Sequence, residues 1–229
     1  PVSSAASTAA ESTTSSVVSE TTSAAADENA AAAEQLLNDL TGSYQELWPV
    51  ILADEYKQTW LDDCTALVGE DNAEAAFEKL SSMVTGDVYG EDAVKAYANG
   101  GGAYFCGFTN SLAILTFDGE TSTISGTDKD GNVLFSHTYH YIGMEPVRGL
   151  YEFESDDADS GEFTYFFLAP DTSAETYHIE FRYGSDADAL SQYDAGDYAY
   201  WLASGISTDC DQTMIDNCIE LFCTENLAG

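Results

Sequence analysis

The sequence predicts an α+β fold, in which N-terminal helices pack against an antiparallel β-barrel and a C-terminal helix follows the barrel. Apolar residues recur with a helical period through the first hundred residues, and after Gly100-Gly101-Gly102 the period changes to two. Residues 211–227 return to a helical pattern. Short sequential strands separated by turn signals favour an up-and-down antiparallel barrel or a sandwich. We expect the barrel, across about residues 102–183, because closure removes exposed sheet edges.

The N-terminal 26 residues are serine, threonine and alanine with a few acids. No apolar face runs through them, so they bury too little surface to offset the entropy cost of ordering. We therefore expect a disordered tether at residues 1–26 and a folded domain at residues 27–229. Such a tether is typical of exported bacterial lipoproteins, which predicts an extracytoplasmic protein, at the cell surface or secreted, with a lipid anchor on a residue preceding Pro1.

Four helices are expected before the barrel. The second begins at Ser43, a common N-cap residue type, and Glu46 stands three positions later as its capping-box partner. The four segments are residues 27–40, 43–68, 73–84 and 91–98. No run of about 18 apolar residues occurs, so the sequence predicts no transmembrane segment.

Seven candidate strands alternate apolar and polar residues between turn signals. They are residues 103–108, 111–119, 120–127, 132–143, 149–155, 161–169 and 176–184. Strand parity places Phe135 and Tyr139 on one face of the fourth candidate, and Tyr151 and Phe153 on one face of the fifth. We expect these four rings to point into the barrel.

The charge balance limits the classes of partner. Against 41 Asp and Glu stand 6 Lys and Arg, which gives a formal net charge of −35. Such a surface repels phosphate backbones, so nucleic-acid binding is not expected, and it attracts cations. Solubility in a salty, extracytoplasmic habitat is the simpler interpretation of the same charge.

Motifs for catalysis are scarce, and we expect no enzyme. The sequence contains no nucleophile-elbow, phosphate-loop or HExxH pattern. His137 and His140 are three positions apart, so on a strand they face opposite sides and do not share one metal. Residues 128–132 resemble half a calcium loop but lack the later glycine and glutamate, which favours a hairpin turn.

The five cysteines are too scattered for a CxxC metal site, and a structural role is favoured. Cys210, Cys218 and Cys223 cluster near the C-terminus and are expected to supply one disulfide if the compartment is oxidising.

Two blocks of the sequence resemble the ZinT/YodA family, the zinc-binding lipocalin-like domains of bacterial periplasmic and surface proteins. The first is "GSYQELWPVI", which is similar to the family's helix entry. The second runs from Pro146 to Asp186 and resembles the family's Val-Arg-x-Leu-Phe-Glu strand, acidic hairpin, Ala-Pro turn and His-x-His-Ile-x-Phe strand. The resemblance implies a lipocalin-like (calycin) barrel and a zinc site at its mouth.

The family holds zinc with three histidines, and this sequence keeps one of them. The second histidine of the family's pair corresponds to His178, the first corresponds to Thr176, and Asp171 is the nearest replacement for the loop histidine. His178 and Glu180 lie on one strand face, and a His-x-Glu pair is a competent zinc ligand set. The expected metal ligands are therefore His178, Glu180 and Asp171. The alternative is that they are ordinary polar residues, with Glu180 or Asp171 paired to Arg182.

The resemblance implies an extracytoplasmic protein that binds metal, with zinc as the expected ion, and that buffers it or hands it on. A metal-uptake component at the cell surface is the expected partner. The alternative is a metal-free lipocalin-like module whose aromatic barrel binds a small apolar ligand or a partner protein.

Overall fold

The computed structural model describes residues 28–170 and 178–228. Its centre is a closed antiparallel barrel in which eight strands follow one another in chain order and the last pairs with the first. This is the up-and-down arrangement of lipocalin barrels, so the predicted fold class is confirmed. The strands are β1 (Gly42–Glu46), β2 (Ile114–Asp118), β3 (Thr123–Thr127), β4 (Val133–Met144), β5 (Tyr151–Ser155), β6 (Tyr165–Leu168), β7 (His178–Gly184) and β8 (Ala203–Ser207).

Helices precede, interrupt and follow the barrel strands. They are α1 (residues 28–39), α2 (Leu47–Ile51), α3 (Lys57–Val68), α4 (Glu70–Val84), α5 (Glu91–Ala98), α6 (Ala187–Leu190) and α7 (Gln212–Leu227). The side chain of Asp211 caps α7 by accepting a hydrogen bond from the backbone N–H of Met214 at 3.0 Å. The predicted C-terminal helix is therefore confirmed with a well-defined start.

The first strand corrects the sequence prediction of a helix beginning at Ser43. Residues 42–46 form β1, and Glu46, which precedes α2, makes no side-chain capping hydrogen bond. The Ser43 hydroxyl hydrogen-bonds to that of Thr116 in β2 at 2.8 Å, and the Glu46 carboxylate accepts the backbone N–H of Phe108 at 2.6 Å. Both partners lie more than 60 residues away in sequence, which is why the local pattern favoured the helix.

The barrel interior is filled by aromatic rings. Phe135, Tyr139 and Phe153 are buried, and Tyr151 is half-buried against the same core, so the predicted inward face is confirmed. Phe166 and Tyr183 lie 5.3 Å apart between ring centroids, and neither exposes any surface. Ring pairs at such separations add to the free energy of apolar burial.

A second apolar cluster joins the helices to the outside of the barrel. Phe222 of α7 packs its ring 4.6 Å from that of Trp48 and 6.0 Å from that of Trp60. The indole of Trp60 is fully buried and donates to the carbonyl of Ile51 at 2.7 Å. Helix α7 is therefore held against both α2 and α3.

Three further sequence predictions concern parts of the chain other than the eight barrel strands. Residues 103–108 form no strand of the barrel; Phe105 makes only isolated bridges, to Thr85 and Trp201. The predicted tether at residues 1–26 lies outside the described residues. None of the helices in the described part of the chain combines the length and apolar character needed to cross a bilayer.

Candidate metal centre on strand β7

Alternation along β7 sorts its side chains into two faces. Ile179, Phe181 and Tyr183 are buried in the barrel core. His178 and Glu180 lie on the outer face and are half-buried, as the strand parity predicts. Their cross-strand neighbours in β8 are Ile206 and Ser204 respectively, which fixes their position against the helical layer.

Helices α2 and α7 cover this outer face and enclose a small cavity of about 40 Å³. Its lining residues are Leu47, Trp48, Ile51, His178, Glu180, Cys218, Leu221, Phe222 and Glu225. A water molecule needs about 10–15 Å³, whereas organic ligands occupy cavities of about 300 Å³ or more. The cavity therefore has the size for an ion or one or two water molecules.

The described residues supply two of the three predicted ligands. His178 and Glu180 both line the cavity, whereas Asp171 and Thr176 lie outside the described residues. Within residues 28–170 and 178–228, no group of three or more His, Cys, Asp or Glu is arranged to hold a metal ion. The described part of the chain therefore holds two of the predicted ligands and no complete set of three donors.

Arg182, the third outward residue of β7, holds the loop that follows the strand. Its guanidinium donates to the carbonyls of Leu190 and Tyr198, and more distantly to that of Gln192 at 3.4 Å. It also lies over the ring of Tyr193, 4.2 Å from the centroid. Burial lowers the pKa of Arg182. These backbone contacts give Arg182 a structural role that requires no carboxylate.

A thiol lies beside Glu180 on the same outer face. The carbonyl of Cys106 accepts the backbone N–H of Ser204, the residue opposite Glu180 in the sheet, at 3.0 Å. Burial, reinforced by the negative charge of Glu180, raises the pKa of Cys106 to about 12. This thiol is therefore protonated at neutral pH.

Glu180 also lines a second, larger cavity of about 340 Å³. Its wall includes Arg148, Leu150, Pro170 and Leu202. The backbone N–H of Ala169 donates to the carbonyl of Glu180 at 2.9 Å, so the end of β6 lies directly beside Glu180. The described segment that ends at Pro170 therefore lies next to the candidate centre.

The other two histidines have separate carboxylate partners. Nδ1 of His137 lies 2.7 Å from Oδ2 of Asp157, and Nδ1 of His140 lies 2.7 Å from Oδ1 of Asp156. The ring of His137 stacks on that of Phe135 at 6.0 Å, whereas the His140 side chain is about half exposed. The prediction that these histidines do not act as one metal pair agrees with this geometry.

The partial calcium motif is a hairpin turn, as predicted. Oδ1 of Asp128 accepts the backbone N–H groups of Asp130 and Asn132 at 2.9 and 2.8 Å. Gly131 has φ +83°, which a glycine adopts without strain. The Asn132 side chain and backbone hydrogen bonds lower the pKa of Asp128.

The sequence analysis did not assign two of the cavity residues to this site. Cys218 and Glu225 are seven positions apart on α7, with Phe222 between them, so a helical period places all three on one face. That spacing was readable from the sequence. The packing of this face across β7 was not, because it depends on contacts between segments about 40 residues apart.

Comparisons with known proteins identify similar folds. No protein-family profile and no curated protein matches the sequence. The chain is structurally similar to the Zn(II)-bound ZinT-like domain of Streptococcus pneumoniae AdcA, with a TM-score of 0.49, 14% identity, and coverage of 79% of this chain and 87% of that chain. It is also similar to Zn(II)-bound AdcA from Streptococcus pneumoniae, with a TM-score of 0.46 and 12% identity. That match covers 80% of this chain and 34% of AdcA, so the chain spans about a third of that protein's length. At these identities the similarity assigns no role to any residue of this chain.

Proposed function

We propose that this chain is a zinc-binding protein whose metal is held at the outer face of β7 by His178, Glu180 and Asp171. The observation that carries the proposal is that His178 and Glu180 share one strand face and line one cavity of about 40 Å³. An imidazole and a carboxylate two positions apart on a strand are zinc ligands of the right type and spacing. A cavity of this size accepts an ion but no organic substrate, which favours binding over catalysis.

Chain connectivity supports Asp171 as the third ligand. Pro170 lines a cavity together with Glu180, and Ala169 is hydrogen-bonded to the backbone of Glu180. Asp171 is the next residue in the sequence after Pro170, and a carboxylate is a zinc ligand type, which motivates its choice as the third donor.

The donor set predicts modest affinity and modest selectivity. One imidazole with two carboxylates is a harder set than three imidazoles, so it discriminates less strongly in favour of zinc. The net charge of −35 raises the local concentration of cations and speeds their association. Both properties suit a protein that buffers metal or passes it on.

The proposed setting is outside the cytoplasm, at the bacterial surface or in secreted form, with a lipid anchor on a residue preceding Pro1. A metal-uptake component at the cell surface is the proposed recipient of the ion. Mass spectrometry of the native protein tests the anchor, since an acyl-modified N-terminal peptide is expected and an unmodified one contradicts it.

The competing function is a metal-free lipocalin-like module. The packing of Phe153, Phe166, Phe181 and Tyr183 opposes a small apolar ligand among these rings, because all four are almost fully buried against one another. The remaining form of this alternative is a metal-free barrel that binds a partner protein on its exterior. The zinc titration must distinguish it from the metal-binding proposal.

Metal analysis and zinc titration calorimetry on untagged protein test the proposal, since a histidine tag would add the ligands in question. We expect saturable binding of one zinc ion to the wild-type chain. His178→Ala is expected to abolish tight binding, and Asp171→Asn to weaken it. His140→Ala is the matched control, because His140 lies on β4 with its own carboxylate partner, and it should bind zinc as the wild type does.

A gain-of-function variant completes the design. Thr176→His adds a second imidazole two positions before His178, on the same face of an extended strand, and should strengthen zinc binding. If neither the wild type nor Thr176→His binds zinc saturably, β7 holds no metal and the metal-free module is the better description.

A further inference from the structure

Two thiols from distant parts of the sequence meet in the helical layer. Sγ of Cys64 in α3 lies 3.9 Å from Sγ of Cys223 in α7, and both residues are fully buried. They are 159 residues apart in the chain. The apolar cluster around Trp60 and Phe222 surrounds them and fixes the two helices at this separation.

The sequence analysis expected a disulfide within the C-terminal cysteine cluster, and the geometry of α7 excludes one of the possible pairs in that cluster. Cys218 and Cys223 are five positions apart on α7, so their Cα atoms are separated by about 7.5 Å along the axis alone. Disulfides join Cα atoms at about 4.4–6.8 Å. Cys223 therefore cannot bond to Cys218 without unwinding α7, and Cys64 is the thiol that the fold brings to it.

We propose that Cys64 and Cys223 form a disulfide that joins α3 to α7 when the protein folds in an oxidising compartment. An S–S bond of about 2.05 Å requires the two sulfur atoms to approach by about 1.9 Å from their present 3.9 Å. Side-chain rotation about the Cα–Cβ bonds with a small shift of one helix supplies this movement.

The oxidant is a second disulfide, either of a small thiol or of a thiol–disulfide oxidoreductase. One cysteine thiolate attacks a sulfur of that disulfide and releases the other sulfur as a thiolate, which takes up a proton to become the first released thiol. The other cysteine thiolate then attacks the mixed disulfide and releases the second thiol. Two protein thiols are oxidised, one external disulfide is reduced to two thiols, and both protons end on the released thiols.

Burial determines when this exchange occurs. Burial raises the pKa of both Cys64 and Cys223, and the proximity of Cys64 raises that of Cys223 further. The attacking species is the thiolate, which is scarce at either residue in the folded protein. The bond therefore forms while α7 is still undocked, and once formed it is shielded from reductants.

The cross-link also bears on the cavity at β7. Cys218, Phe222 and Glu225 of α7 form one wall of that cavity. Joining α7 to α3 fixes this wall relative to the barrel, with or without a metal.

Oxidative refolding with peptide mapping tests the proposal. The reduced, unfolded full chain is refolded in a buffer of oxidised and reduced glutathione, alkylated, digested without reductant and analysed by mass spectrometry. We expect one dominant cross-linked peptide pair containing Cys64 and Cys223, with a mass two hydrogens below that of the separate peptides. Cys210→Ser is the matched control, since it removes a half-buried thiol of the same cluster and should leave that cross-link intact.

A stability measurement gives a second readout. Refolding with glutathione disulfide should raise the urea midpoint of the wild type above that of the reduced protein, and should not shift the midpoint of Cys64→Ala. A dominant bridge from Cys223 to Cys210 or Cys106 would overturn the proposal. So would alkylation of both Cys64 and Cys223 in refolded wild-type protein.

Discussion

Replacing Arg182 by methionine should destabilise the protein through the loop between β7 and β8. The methionine retains much of the side-chain volume but cannot donate to the carbonyls of Leu190 and Tyr198, or to the more distant carbonyl of Gln192. A buried acceptor left without a donor costs about 1–3 kcal/mol, so the two close contacts alone give about 2–6 kcal/mol. Removing a fully buried charge recovers part of this, and we expect a net loss of about 3 kcal/mol.

Urea denaturation followed by tryptophan fluorescence measures this loss, with the midpoint and slope fitted together. Arg148→Met is the matched control, because the Arg148 guanidinium also lies over Tyr193, at 4.6 Å, but is exposed to solvent. It should cost less than about 1 kcal/mol. An equal and small effect of the two substitutions would show that the carbonyl contacts of Arg182 do not stabilise the loop.

Three further outcomes are expected. Burial and two carboxylates of α7 raise the pKa of Asp63. The folded protein therefore binds the Asp63 proton more firmly than the unfolded chain does, and ionisation of Asp63 destabilises the folded state as the pH rises above about 4. Asp63→Asn should therefore raise the urea midpoint at pH 7 but not below a pH of about 4, whereas Glu78→Gln, at an exposed position of α4, should leave the midpoint unchanged. Gly126→Ala would place a Cβ 2.5 Å from a ring carbon of Phe135, and it should lower the free energy of unfolding, measured by urea denaturation, by about 1–3 kcal/mol. Gly143→Ala is the control, because its Cβ would meet only a carboxylate oxygen at 3.8 Å. Zinc affinity, measured by calorimetry, should fall as the pH drops below about 6.5, because protons then compete with zinc for an imidazole ligand. A zinc affinity independent of pH would exclude a histidine ligand.

Strand parity was predictable from sequence wherever a segment alternated over five residues or more. Phe135, Tyr139 and Phe153 point inward because the period of two is a local property of an extended chain. The same rule placed His178 and Glu180 together on the outer face of β7. These features required no knowledge of what each strand packs against.

The closing strands were not predictable for a physical reason. Residues 42–46 and 203–207 are short and contain glycine, and both become strands through pairing with distant partners. Ser43 and Glu46 also matched a helix cap, so the local preference opposed the final structure. The thiol pair of Cys64 and Cys223 was hidden for the same reason, since 159 residues separate its members.

Closure of the barrel by β1 and β8 also sets the order in which the protein can fold. Tyr44 pairs with Ser207, so 207 − 44 = 163 residues must be synthesised after Tyr44 before this pair can form. Until then β1 has one pairing edge open and β7 has another, both of which can recruit strands from other chains. Contacts of such long sequence separation slow folding. A nascent chain is therefore exposed to aggregation until residues 203–207 have been synthesised, and a truncation before residue 203 should leave an open sheet that aggregates.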